Sequence, residues 1–515
     1  MSRRAMVLLV VMVVLAVGAM TGLAAMALAQ AQLEACAAAV RRTRTRAAAW
    51  SGIQAVCAEL AAQRASLLRG EAPRVTLVWD GFEAESAFVP QSRSRERLIY
   101  RLQRRDDGRG RAGDGLVAEA GKLSVNDAPL DMLARLPGVP SSLLPALGSA
   151  RARGRLQSAL ELIEVDPLST PALTARVEAA ADGRARDASD SAGASSAASA
   201  GARPLLESLT VFSFEPNVQV GIGSPREDVF GEPRMLLSGA WSEELGRRIE
   251  ARFGGDVAAA ARRLFDEKRN PKRDSELVAI LRGMNIAPRE WPMFLDAFTT
   301  DDGPYRPGRV DLLSASEDVL ACVPGIDRSA AGRLVFGRAR LDPDLRATVA
   351  WPILTGVLTE DQFQLASDFL CSRCLQWRAT IESGFVPMPS DGAAPDFDSL
   401  ESAPLLDRVA FDVVFDLAGP TPRLAYLRET TLLEAAQELA AIAPLGGSGA
   451  APAGYGVESA AAGTGELVPT ASPVDMLPER DESVVAPASG PPSSRRAARP
   501  DGRVGRWTTG GAGDR

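Results

Sequence analysis

From Met6 to Ala29 the chain carries no charged residue and is almost wholly apolar; from Gln30 onward polar and apolar positions mix. As a helix rising 1.5 Å per residue the apolar run extends about 36 Å, against a bilayer hydrocarbon core of about 30 Å. The pattern therefore predicts a membrane-spanning helix. Helical character continues beyond it, because Ala35 to Leu68 is rich in Ala, Arg, Gln and Leu, holds one internal glycine, Gly52, and no proline, and ends near Gly70 before Pro73. One long helix over residues 1–70, half in the membrane and half out, accounts for both stretches. Alternating and β-branched segments follow at Arg74 to Asp80, Arg97 to Arg104, and Leu116 to Ala120 leading into Lys122 to Val125, with a turn at Asp106-Asp107-Gly108-Arg109-Gly110. Three more lie late in the chain, at Phe369 to Ile381, Arg408 to Leu417 and Pro422 to Arg428, the last two joined by a hairpin turn at Ala418-Gly419-Pro420-Thr421. The expected class is α+β, an antiparallel sheet whose early and late strands are separated by a large helical insertion.

That insertion repeats itself. Residues 122–153 lie over 309–340 at a constant offset of 187 without a gap, with identities that include Ala128/Ala315, Asp131/Asp318, Leu133/Leu320, Pro137/Pro324, Gly138/Gly325 and Leu147/Leu334. Such self-similarity marks a duplicated structural unit. Arg234 to Leu245 is a fainter third lead-in that keeps only Ala240 and Leu245 in register. In each full copy an apolar stripe (Met132, Leu133, Leu136; Val319, Leu320, Val323) precedes Pro-Gly, and a facing stripe follows it (Leu143, Leu144, Leu147; Leu334, Val335). This is a helical hairpin whose turn is made by Pro137-Gly138 and Pro324-Gly325. Nucleic-acid-binding hairpins of this kind use a Gly-x-Gly turn whose amides approach a phosphate. Here the second position is Pro140, which has no amide, or Asp327, which repels the phosphate. The hairpins are therefore expected to serve packing, with no nucleic acid bound. Asp182 to Arg203 and the chain from Pro444 onward are Ala-, Gly-, Ser- and Pro-rich and are expected to be unstructured. The expected organisation is helix 1–70, first strands 71–126, inserted helical domain 127–365, closing strands 366–435 and low-complexity tail 436–515.

Composition narrows the chemistry. The chain contains no histidine, which removes Ser-His-Asp and Cys-His nucleophiles and most catalytic zinc sites, and no phosphate loop or nucleophile elbow is present. No catalytic residue and no certain cofactor are expected. The net charge of −7 provides no overall basic footprint for nucleic acid. Five cysteines do not make a disulfide scaffold, and the one CxxC, Cys371 and Cys374, falls in a segment that reads as extended, where packed thiols are the simpler expectation. Asp391, Asp396, Asp398 and Glu401 form an acidic loop whose oxygens suit Ca²⁺, without an EF-hand pattern; a solvated loop is the plainer reading.

Arg3 and Arg4 precede the apolar run and the first acidic residue is Glu34, so the N-terminus is expected in the cytoplasm and the rest of the chain outside it. Ala27-Leu28-Ala29 before Gln30 also fits a signal-peptidase site, which would release a secreted soluble binding protein.

An arginine pair, a small residue and then Met6-Val7-Leu8-Leu9-Val10-Val11 resemble the prepilin-type N-terminus, whose peptidase cuts just before the apolar stretch. Ala5 stands where that family has glycine. A cut after Ala5 makes Val10 the fifth mature residue, where most pilins carry glutamate. An apolar residue there is similar to the minor pseudopilin K family of the type II (general) secretion system. Lys122 to Gly138 resembles that family's repeated lead-in, and Leu209 to Asn217 resembles the exit from its first helical subdomain. The resemblance implies a pilin-like sheet with an inserted helical domain and a single-pass inner-membrane subunit whose bulk lies in the periplasm. It implies prepilin peptidase, other minor pseudopilins and inner-membrane secretion components as partners, and Ca²⁺ as a possible ligand. The rival reading is a membrane-tethered DNA receptor carrying helix-hairpin-helix units.

Overall fold

The computed structural model describes residues 3–76, 78–79, 83–84, 96–103, 115–174, 176–177, 203–224, 229–387, 400 and 402–431, all within one unit that extends from Met1 to Pro444. Helix α1 (Arg3–Ala62) is unbroken over 60 residues, about 90 Å at 1.5 Å per residue. Strong helix formers and the absence of proline allow that length. Gln63 separates it from α2 (Arg64–Leu68), after which Gly70 adopts φ +77 and turns the chain.

The two halves of α1 meet different surroundings. Residues 12–36 are all exposed. Further on, Thr45, Ala49, Ile53, Val56 and Leu60 are buried at the spacing of one helical face. Gly52 lies on this face, where a Cβ would meet Tyr100 Cδ2 at 2.6 Å. A glycine at this position therefore lets α1 approach the sheet closely. At the rim, Arg41 pairs with Glu96 (2.6 Å) and Asp407 (2.5 Å), while Arg64 donates to the carbonyls of Leu417, Ala418 and Gly419.

The sheet beneath α1 begins with β1 (Val78–Trp79), β2 (Glu83–Ala84), β3 (Glu96–Leu102) and β4 (Leu116–Ala118). Three residues, Glu119–Gly121, then form a 3₁₀ turn, and the chain leaves the sheet. This differs from the sequence expectation, which carried the early strands through Val125. Instead β5 (Leu123–Ser124) pairs in parallel with β8 (Leu209–Thr210), after a crossover that includes α3 (Leu130–Ala134), α4 (Leu143–Arg153) and the antiparallel pair of β6 (Arg176–Val177) and β7 (Arg203–Pro204).

The same device recurs twice. After β9 (Phe214–Pro216), β10 (Met235–Leu236) pairs in parallel with β11 (Phe298–Thr299), across α5 (Glu243–Phe253), α6 (Gly255–Asp266), α7 (Asp274–Gly283) and α8 (Trp291–Ala297). After β12 (Tyr305–Pro307), which pairs with β9, β13 (Val310–Asp311) pairs with β14 (Leu370–Cys371) across α9 (Glu317–Leu320), α10 (Arg328–Arg338) and α11 (Glu360–Ala366). In the three units Val125, Leu237 and Leu312 donate to the carbonyls of Thr210, Thr299 and Cys371 at 2.8, 2.9 and 3.0 Å. Each of these donors stands three residues after a basic residue: Lys122, Arg234 and Arg309. Parallel pairing requires a long crossover, and the helices supply it. The middle unit, in whose lead-in only Ala240 and Leu245 match both other copies, has the backbone pairing of the other two.

The chain then returns to the sheet through β15 (Gln376–Pro387), β16 (Leu406–Asp416) and β17 (Arg423–Glu429). The order is β1-β3-β15-β16-β17, with β2 on β3 and β4 on β15, and every pairing is antiparallel. One core lies between α1 and the sheet and contains Ile53, Leu60, Ala379, Ile381, Val413 and Phe415. A second unites the three parallel units through residues such as Leu123, Leu133, Leu209, Met235, Ile249, Phe298, Val310, Leu334 and Leu370.

Candidate functional site

Ala5, Met6, Val10 and Ala29 all lie within α1, which is long and apolar enough to cross a membrane. Large apolar side chains such as Met12, Leu15, Met20, Leu23 and Leu28 are exposed along it. The acidic loop residues Asp391, Asp396, Asp398 and Glu401 lie outside the described residues. Among the described residues no group of three or more His, Cys, Asp or Glu side chains is arranged to hold a metal ion.

The two Pro-Gly turns share one conformation: Gly138 and Gly325 both have φ +84, a region in which a side chain is strained. In each, the residue after glycine donates back across the turn, Val139 to Leu136 at 3.2 Å and Ile326 to Val323 at 3.1 Å. These amides are therefore already bonded. In the second turn Asp327 caps α10, accepting from the Ala330 amide at 2.7 Å, so a carboxylate occupies the place an anion would take. A Cβ on Gly325 would run into the Gln362 carbonyl oxygen of α11, which covers this turn.

Cys371 and Cys374 are buried free thiols whose Sγ atoms approach the Arg373 carbonyl (3.6 Å) and the Gln376 carbonyl (3.0 Å). Burial pushes both well above the ordinary thiol range, so they pack as thiols rather than react as thiolates.

Two buried charge centres organise the interior. The first joins the sheet to the first parallel unit. Glu119, fully buried, accepts from Lys122 (2.5 Å), from Arg378 of β15 (2.7 Å) and from the Thr210 hydroxyl, while Arg378 also reaches Asp412 at 2.7 Å. Burial raises the carboxyl, but Lys122 and Arg378 outweigh it and hold Glu119 at about 2.

The second centre links the other two units. Glu215 pairs with Arg234 (2.8 Å) and Arg306 (3.0 Å), with Arg373 at 3.8 Å. Asp296 pairs with Arg252 (3.1 Å) and Arg373 (2.9 Å) and accepts the Val220, Gly221 and Ile222 amides. Asp274 and Asp301 are shared between Arg306 and Arg309. Burial raises Glu215, yet the surrounding guanidinium groups hold it at about 2, and Asp296 is likewise lowered by Arg373 and Arg234 against its burial. Burial and the neighbouring Arg309 push Arg306 down while Glu215 pulls it up; it stays charged because a guanidinium does not deprotonate in proteins.

Comparison with family models, curated proteins and solved structures finds no match. The interior chemistry must therefore be read from this chain alone. In it Glu119, Glu215 and Asp296 are held ionised by the cations around them. Sequence reasoning missed both centres. Their one linear trace is the basic residue at the head of each unit, Lys122, Arg234 and Arg309, each of which enters a buried ion pair or network.

The shifts carry a pH dependence of defined sign. Glu119 and Glu215 fall from 4.5 to about 2 on folding, so the native state favours their ionised forms. Each contributes roughly 3 kcal/mol that is fully present above about pH 5 and is lost as pH falls through the folded value near 2. Unfolding free energy measured from pH 6 to pH 2 is expected to drop steeply, and Glu119→Gln is expected to flatten part of that slope. A profile unchanged by the substitution would contradict the assignment.

Proposed function

We propose that this chain is a non-enzymatic, membrane-anchored assembly subunit, a minor pseudopilin of the K type at or near the tip of a type II secretion pseudopilus. The observation that carries the reading is α1: an exposed, uncharged apolar half continuous with a half that lies on an antiparallel sheet. A helix built this way anchors a subunit in the bilayer while holding its folded part immediately outside it. In this reading the bulk of the chain is periplasmic, the stretch between β4 and β15 is the inserted helical domain, and its Pro-Gly hairpins serve packing. Two features favour the tip. Val10 lacks the carboxylate that would pair with a neighbouring subunit's N-terminal amine, and the stretch between β4 and β15 is too bulky to repeat easily along a thin filament.

N-terminal sequencing of protein from the membrane fraction is expected to give a chain that begins at or before Met6; Gln30 as first residue would sink the anchor and the assembly role together. Deletion is expected to reduce filament initiation and secretion in parallel. A label placed on the helical stretch should appear at one filament end, and signal along the shaft would rule out the tip. Val10→Glu is expected to keep membrane insertion, since one such charge costs about 2.5–3.5 kcal/mol in an otherwise strongly apolar helix.

A further inference from the structure

The buried network around Glu215 does not balance. Five guanidinium groups, Arg234, Arg252, Arg306, Arg309 and Arg373, are tied by ion pairs to four carboxylates, Glu215, Asp274, Asp296 and Asp301, and these pairs form one connected set among the described residues. Glu215 and Asp296 are held ionised, so protonating a carboxylate would only enlarge the excess. Among the described residues this ion-paired set therefore carries one more positive charge than negative, with Asp311, buried within electrostatic reach of Glu215 and Arg338, standing outside it, and net charge in an interior is disfavoured.

The place where that charge is least satisfied coincides with a cavity. Arg234, Arg306, Arg373, Glu215, Asp296 and Thr348 line a space of about 10 Å³. Arg234 spends Nη2 on Glu215 while its Nε and Nη1 have no partner, and Arg373 leaves Nε unpartnered. Both side chains are more than nine-tenths buried. Two residues that line the cavity thus hold three buried N–H donors without a partner, within an ion-paired set that is one negative charge short. Thr348, whose hydroxyl oxygen already accepts from the Ala350 amide, retains its own O–H to donate. A space of this size takes one water or one monatomic ion. A water would satisfy donors but leave the charge.

We propose that the cavity between Arg234 and Arg373 is a binding site for a single small monovalent anion of the halide class, which completes the charge network joining the second and third parallel units. The anion would bind the folded state and not the unfolded chain, so its concentration would raise apparent stability by mass action. Large anions could not enter.

Thermal unfolding of the full chain in detergent micelles, at one ionic strength with chloride exchanged for gluconate, tests this. The midpoint is expected to lie roughly 2 °C higher in chloride, and Arg234→Met is expected to abolish the difference whatever its effect on the midpoint itself. Equal midpoints in the two salts, or a chloride shift that survives in Arg234→Met, would overturn the proposal. If the variant does not fold, crystals of the unaltered protein grown in bromide decide. An anomalous peak within hydrogen-bonding distance of Arg234 and Arg373 establishes the site, and no peak there assigns the cavity to water.

Discussion

Glu215→Gln is expected to destabilise the folded unit by about 3–5 kcal/mol, the range for breaking a buried ion pair by removing one partner. The glutamine keeps the shape and loses the charge, so Arg234 and Arg306, at 2.8 and 3.0 Å, and Arg373, at 3.8 Å, lose their shared counter-ion. All three guanidinium groups are nearly inaccessible to water, so solvent cannot replace it. The matching control is Glu429→Gln, which breaks the pair with Arg46 on the outer rim, where Arg46 is 59% exposed; exposed pairs contribute about 0–1 kcal/mol. Chemical denaturation of the two variants beside the parent chain should separate them clearly. Equal effects would mean that the interior network contributes no more than a surface pair.

Gly325→Ala is expected to cost about 2–5 kcal/mol. Its φ of +84 makes any side chain unfavourable by about 1–2 kcal/mol, and the new Cβ would also press into the Gln362 carbonyl and approach Leu365 Cβ at 3.1 Å, an overpacking term of about 1–3 kcal/mol. Gly356→Ala isolates the first contribution: its φ is +70 and nothing lies within 4 Å of the position a Cβ would take, so about 1–2 kcal/mol is expected there. A Gly325→Ala protein no less stable than Gly356→Ala would show that α11 does not pack against the turn. The contrast matters beyond stability, because it reads directly whether α11 covers the turn of the second hairpin.

The sequence by itself determined the features that depend on local periodicity. An uncharged run long enough for a bilayer can be read directly from Met6 to Ala29, and the β-branched and aromatic residues of Arg408 to Leu417 announced β16 to within two residues of its ends, because such side chains favour a pleated strand. The Pro-Gly turns were visible because glycine adopts without strain the left-handed backbone that both copies need. Tertiary structure decided the rest. Lys122 to Val125 reads as a strand of the main sheet, yet β5 pairs with Leu209–Thr210, since a two-residue parallel pair has no pattern long enough to name its partner. The middle parallel unit kept the backbone pairing of its neighbours with almost none of their residues, because main-chain hydrogen bonds do not require particular side chains. The charge centres were illegible for a related reason. Glu215 and Arg306 are 91 residues apart and Glu119 and Arg378 are 259 apart. A charged residue in a sequence carries no sign of whether it will face water or another charge. Only the folding of three crossovers and a returning strand around a common interior brings those partners within 3 Å and removes the water that would otherwise weaken their attraction.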